Sequence, residues 1–245
     1  TSGDVYILES DALTLNASSS AGGNLDVQVD DGDLTVAGAL STSGSGTITL
    51  ATTNATGNII VNKGITTDSG LISIESGDAL TFGEYGDLNT NNGAITVTAG
   101  DVSTTGTSDL TMNPDTVIKA AGTGTITATA DGNITLGLLS ATSGDISVDS
   151  TNGSIKESTA DETGGVIVDI TSTGGVVTLK AATGIGSSGT NNAIDTTVVT
   201  LELDNLTSGD VYILESDALT LNASSSAGGN LDVQVDDGDL TVAGA

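Results

Sequence analysis

The chain has 245 residues, and 32 acidic side chains face only four lysines, for a net charge of −28 with no histidine and no cysteine. That balance excludes nucleic acid and anionic membrane surfaces as partners, because binding phosphates requires Lys and Arg to neutralise them and release counterions. Without thiols there is no disulfide framework, and no stretch reaches the roughly 18 to 20 apolar residues of a membrane span.

The first stretch, Thr1 to Ala39, returns without substitution as Thr207 to Ala245, which defines a tandem unit of 206 residues. Internal repetition overrides a domain count based on length. The chain therefore reads as one complete repeat unit, 1–206, followed by the start of the next, 207–245, within a longer array and with no independent globular domains. Thr1 falls inside a repeat, so the absence of a signal peptide says nothing about export.

A smaller phrase recurs inside the unit: a glycine, then alternating residues of which the second and fourth are aliphatic. Its instances begin at Gly3, Gly23, Gly46, Gly70, Gly93, Gly124, Gly144 and Gly164, as in Gly46-Thr47-Ile48-Thr49-Leu50. Strict alternation of this kind marks a half-buried strand. About ten residues after most of them comes a second strand, such as Leu13/Leu15, Leu34/Val36, Ile59/Val61, Leu80/Phe82 or Ile134/Leu136, and each pair is expected to make one coil. The coil opened by Gly93 carries extra residues from Ser103 to Ala120, read as a side loop or as an added short strand at Leu110/Met112. Ala182 to Thr196 is the least strand-like stretch and is expected to be an extended turn before Val199, Leu201 and Leu203. No window shows a helical period, and Gly, Ser and Thr discourage helix.

The predicted fold is all-β, a parallel β-helix (β-solenoid) with about nine coils of 20–25 residues per 206-residue unit. One coil buries about four aliphatic side chains, each contributing roughly 1.5 to 3 kcal/mol, while ordering some twenty residues costs roughly 1 to 2 kcal/mol each. A lone coil cannot stand; stacked coils share backbone ladders and one aliphatic column. At a strand spacing of about 4.8 Å, nine coils advance the structure by roughly 43 Å per unit.

Gly132 to Ile155 (GNITLGLLSATSGDISVDSTNGSI) and Val176 to Leu203 (VVTLKAATGIGS…NAIDTTVVTLEL) resemble the β-strand repeats of giant bacterial surface proteins of the filamentous-haemagglutinin and autotransporter-adhesin kind. The likeness covers nearly the whole chain. It implies a right-handed parallel β-helix, export across a bacterial envelope, and a role in adhesion, aggregation or matrix. No functional residue carries over from it.

Candidate chemistry is sparse. Gly184-Ile185-Gly186-Ser187-Ser188-Gly189 matches the dinucleotide fingerprint, but a turn follows it where a helix N-terminus is needed to receive the pyrophosphate. There is no His base, no Cys nucleophile, no Arg clamp and no G-x-S-x-G elbow, which leaves paired carboxylates such as Glu157 with Asp161 as the one enzymatic option. No enzymatic activity is expected, and no cofactor other than calcium is considered. The densest carboxylate clusters, Asp30, Asp31 and Asp33 with their copies Asp236, Asp237 and Asp239, sit at Asp-Gly turns and are the candidate calcium ligands, since Ca²⁺ takes six to eight hard oxygens. The alternative is a solvated turn selected for its backbone geometry. Thr-x-Thr pairs at Thr47/Thr49, Thr96/Thr98 and Thr125/Thr127/Thr129 read as β-branched residues on an exposed strand face. Asn-x-Ser/Thr sequons fall at Asn16, Asn54, Asn133, Asn152, Asn205 and Asn222, about as many as chance supplies.

Three functions are compatible with this reading. The first is an extracellular or cell-surface filament serving adhesion, cell-to-cell tethering or matrix, whose partners are further tandem copies and neighbouring fibres joined through divalent cations or surface glycans. The second is a glycan-binding or glycan-cleaving repeat, which requires a carboxylate groove in register along one face. The third is a stalk of tandem Ig-like domains, which requires paired sandwiches.

Overall fold

A computed structural model describes residues 3–100, 107–158, 168–188 and 192–243. It is all-β and contains no helix among the described residues; every strand pairing is parallel. The chain winds as a solenoid of stacked coils, as expected, and the Ig-like alternative, which needs antiparallel sandwiches, does not hold.

Each coil of the first part has three strands, not two. In the first coil these are Val5–Glu9, Leu13–Leu15 and Ser18–Ser20, and in the third Ile48–Thr52, Ile59–Val61 and Ile65–Thr67. Stacking the coils makes three faces, here called A, B and C in chain order. Three of the additional C strands contribute one aliphatic residue and a hydroxyl to the interior, Leu40 with Thr42, Ile65 with Thr67 and Leu88 with Thr90. Face A holds the glycine-opened phrase, and its first inward position runs Val5, Leu25, Ile48, Ile72, Ile95, Ile126, Ile146, Val177 and Leu201 in unbroken register. Nine A-face strands thus precede residue 207, matching about nine coils per unit.

Period-two alternation sends these aliphatic residues inward, where from Leu25 to Leu203 most are fully buried in one continuous core. Phe82 is the largest of them, and it stacks between Val61 and Met112 on face B. The insertion after Gly93 resolves as a B strand, Leu110–Met112, and a C strand, Val117–Ala120; residues 101–106 lie outside the described residues.

Two small-residue devices close the corners. Hydroxyls at the end of the A and C strands point inward and donate to turn carbonyls: Thr52 to Gly57 at 2.8 Å, Thr42 to Gly46 at 2.6 Å, Thr67 to Gly70 at 2.7 Å. The coil-opening glycines form a column at the C–A corner. A Cβ on Gly70 would lie 1.8 Å from the Gly46 carbonyl oxygen, and one on Gly93 2.0 Å from that of Gly70. The same close approach repeats at Gly124, Gly144 and Gly175, so the backbone stacks here at a distance that only glycine permits. Gly175 is the opener of the eighth coil. The phrase at Gly164 that sequence alone suggested for this role lies outside the described residues.

The cross-section changes toward the end of the unit. Ile170–Ala181 and Ile194–Asn205 each run from face C into face A as one twelve-residue strand. In the first, Ser172 to Val176 bulges around the corner relative to its partner. In the second, Val199 occupies the place of the glycine, its side chain exposed, and the chain passes straight through. The stretch from Ala182 is therefore an extended turn only as far as Ser188 in the described part: Ile185 bridges Ile155 and Val211 on face B, and strand resumes at Ile194.

Candidate functional site

The outward positions of the three faces carry mostly hydroxyls. On face A the second strand position reads Tyr6, Asp26, Thr49, Ser73, Thr96, Thr127, Ser147, Thr178 and Glu202 from coil to coil. Six consecutive hydroxyls form a rank bounded by acids. Face B reads Thr14, Thr35, Ile60, Thr81, Thr111, Thr135 and Lys156. Ser73 and Ser147, which belong to no Thr-x-Thr pair, stand in register with the threonines and extend the rank.

Many of the acids stand at corners and hold the next coil. The Asp4 carboxylate accepts the Asn24 amide N–H at 2.8 Å, and Asp145 accepts that of Val176 at 2.8 Å. Asp33 accepts both the backbone and the side-chain N–H of Asn58 at 2.9 Å, and Asn58 in turn accepts from Ala79. Asp109, Asn133 and Ser154 form a similar series. A carboxylate or amide oxygen thus receives a strand-opening N–H from the coil stacked above it. Such charge-assisted bonds are about twice as strong as neutral ones, which gives part of the acidic composition a structural cause.

Of the candidate calcium ligands, Asp33 has this role, while Asp30 and Asp31 accept only from side chains. Asp30 accepts from Gln28 and Thr53, Asp31 from Asn54, and Asp33 from Asn58. Asp236, Asp237 and Asp239 are exposed. Among the described residues no group of three or more acidic side chains is positioned to hold a metal ion. Nor do the acids make a row on one face. The outward fourth position of face A reads Leu8, Gln28, Ala51, Glu75, Thr98, Thr129, Asp149, Lys180 and Asp204, with no two acids adjacent. The Lys180 ammonium donates to Asp149 at 2.8 Å, which holds its pKa above the usual lysine value. Glu157 is buried at the end of a B strand, while its proposed partner Asp161 lies outside the described residues.

Two surface clefts contain the same residues. One, of about 240 Å³, is lined by Tyr6, Ile7, Leu8, Asp26 and Gln28. The other, of about 440 Å³, is lined by their copies Tyr212, Ile213, Leu214, Asp232 and Gln234, with Asp236, Ser188 and Ala193 forming a further wall. Tyr6 and Leu8 are each 69% exposed, unlike the hydroxyls of the coils that follow. Tyr212 donates its hydroxyl hydrogen to Asp210 at 3.0 Å, and that carboxylate raises its pKa. The remaining tyrosine, Tyr85, has the Lys63 ammonium 4.4 Å from its ring centroid.

Among the described residues three buried acids were not singled out from sequence, Asp169, Asp195 and Glu215. Glu215 is fully enclosed; its carboxylate accepts from the Thr196 hydroxyl at 2.8 Å and from the amide N–H groups of Val198 and Asp217 at 3.1 Å. Burial raises its pKa above the usual glutamate value, against the pull of these donors. It stands in the inward column that elsewhere holds Leu139 and Ile170. Only stacking register reveals this, because its copy Glu9 lies on a different face. Of the sequons, Asn205 is buried and donates to the Gly209 carbonyl at 2.7 Å, so its amide is closed to modification in the folded chain. The dinucleotide-like glycines Gly184 and Gly186 both have positive φ around the Ile185 bridge, and no helix follows among the described residues.

Comparison with known protein families, curated proteins and solved structures finds no match.

Proposed function

We propose that this chain is a length of an extracellular or cell-surface filament, assembled from consecutive 206-residue solenoid units and serving adhesion, cell-to-cell tethering or matrix. The observation that carries this reading is the passage from one unit to the next. Residues 207 onward repeat the start of the unit exactly, and their strands add to the same ladder, Leu221 on Leu201 and Val211 on Ile185. Repetition of sequence thereby becomes repetition of structure along one axis, and the function follows from length and stiffness.

The surface suits that role. Hydroxyl ranks hydrate the faces, and the acidic corners keep neighbouring fibres apart until divalent cations screen them, since charges on adjacent coils fall well inside a Debye length of about 8 Å. The glycan-cleaving alternative needs a carboxylate groove in register, and the dispersed acids of face A do not supply one.

Electron microscopy of the native material tests the proposal. Thin rods with an axial period of about 40 Å per unit are expected. Separate globules, or beads joined by flexible links, would refute it. Turbidity should rise on adding millimolar calcium more than on adding sodium at matched ionic strength; equal responses would remove cation bridging.

A further inference from the structure

The identical stretches do not occupy equivalent places around the solenoid. In the first, Val5–Glu9 lies on face A, with Leu13–Leu15 on B and Ser18–Ser20 on C. In the second, Val211 pairs with Ile185 on face B, and Ile213 to Glu215 pair with Ile194 to Thr196 on face C. Face A is taken instead by Leu219–Ser226, a single strand stacked on Thr200 to Asn205. What was A has become B and C, and what was B and C has become A.

The cause is chain length. The first inward position of face A passes from Leu201 to Leu221 in one coil of twenty residues. The repeated phrase begins at Val211, ten residues on, and so arrives half a coil around. Eight whole coils carry Val5 to Leu201 and half a coil carries Leu201 to Val211. Nor does the second copy correct the offset. Val211 to Glu215 pair with Leu231 to Val235 residue for residue as Val5 to Glu9 pair with Leu25 to Val29, and Leu219 to Leu221 pair with Leu240 to Val242 as Leu13 to Leu15 pair with Leu34 to Val36. The next coil is therefore laid down with the offset retained.

We infer that each unit advances eight and a half coils, so that successive units are turned by half a coil and repeat their outward features on opposite sides of the fibre. This rests on the tandem-array reading above. The Tyr6 and Leu8 cleft and the Thr49-to-Thr178 rank alternate sides, and the structural period is two units. At about 4.8 Å per coil the unit rise is about 41 Å and the true period about 82 Å.

The absence of native cysteine allows a direct test in this chain. Thr200 and Thr220 are register partners on adjacent parallel strands, and neighbouring strands bring Cα atoms within the range a disulfide spans. Thr200→Cys with Thr220→Cys should form an intramolecular disulfide on mild oxidation. If the second copy instead stacked in phase with the first, Tyr212 would lie beside Glu202, and Glu202→Cys with Tyr212→Cys would bridge. Bridging of the first pair alone, in reduced proteins that keep the parental circular dichroism, supports the half-coil offset; bridging of the second pair, or of neither, overturns it. The outcome is independent of whether native material forms filaments, so loss of the filament proposal and loss of the offset are separable. On filaments, gold labels on an introduced Thr49→Cys should alternate sides with a period of two units. Labels on one side only would overturn the alternation.

Discussion

Val5 and Val211 are the same residue of the same phrase, yet Val5 lies on face A, in register with Leu25, while Val211 lies on face B against Ile185. Around the first, three short strands turn sharp corners; around the second, Leu219–Ser226 runs on without a break where Leu13–Leu15 and Ser18–Ser20 were separate. The contacts conserved between the copies are those within each copy, namely the register of one coil on the next. What differs is the surface on which each copy lands. Local sequence therefore specifies strand, spacing and register, while the place of a strand around the solenoid is set by how many residues precede it.

The largest expected effect lies at Gly209, where φ is +86° and a Cβ would lie 2.2 Å from the Thr183 carbonyl oxygen; at Gly44, φ is +62° but a Cβ meets nothing within 4 Å. Gly209→Ala should cost about 2 to 4 kcal/mol, from positive-φ strain together with overpacking against backbone. Gly44→Ala should cost only about 1 kcal/mol, from the positive-φ strain alone. Urea unfolding of the two variants checks this, and equal losses would break the comparison.

Truncation of Ile213 comes next. It is 2% exposed and belongs to the core. Ile213→Ala should destabilise by about 3 kcal/mol, as read from the same unfolding curves. Amide hydrogen exchange would show the variant loosening the coils after Ile194.

A smaller effect attaches to Glu215, whose burial raises its pKa, with Asp217 raising it further. The folded chain thus holds a proton at pH values where the unfolded chain has released it. Stability from this residue is fully present below the unfolded glutamate pKa and is lost as pH rises through the folded value. Glu215→Gln should flatten that loss in a pH series of thermal unfolding; an unchanged pH dependence would remove Glu215 as its source. The least effect is expected on the surface: Asp149→Asn, which breaks the half-exposed pair with Lys180, should cost at most about 1 kcal/mol and less in high salt.

Much of this was legible in the sequence. Alternation from Gly46 to Leu50 or Gly144 to Val148 places strands, and stacked glycines place one corner, because period-two burial and a backbone contact that excludes Cβ both leave plain marks. The C strands were missed because Leu40-Ser-Thr, Ile65-Thr-Thr and Leu88-Asn-Thr each carry a single aliphatic residue, too little for a periodic signal. Their mark is different: a threonine three or four residues before the next coil-opening glycine, which it ties down by hydrogen bonding. The half-coil offset was also present, in the ten residues between Leu201 and Val211, but only a known circumference makes that number meaningful. The corner acids were counted as charge; their bonding to the coil above depends on stacking register and could not be assigned from composition.

The parallel ladders have a mechanical consequence. Their hydrogen bonds lie along the solenoid axis, so a pull on the solenoid strains all the bonds between two coils together and gives way one coil at a time. A coil of some twenty-three residues occupies about 4.8 Å of axis, yet its freed chain extends to roughly 75 to 80 Å. Under load the solenoid should therefore lengthen in steps of about 70 Å and absorb work at each, behaving as a ratchet of small sacrificial links long before any covalent bond is stretched.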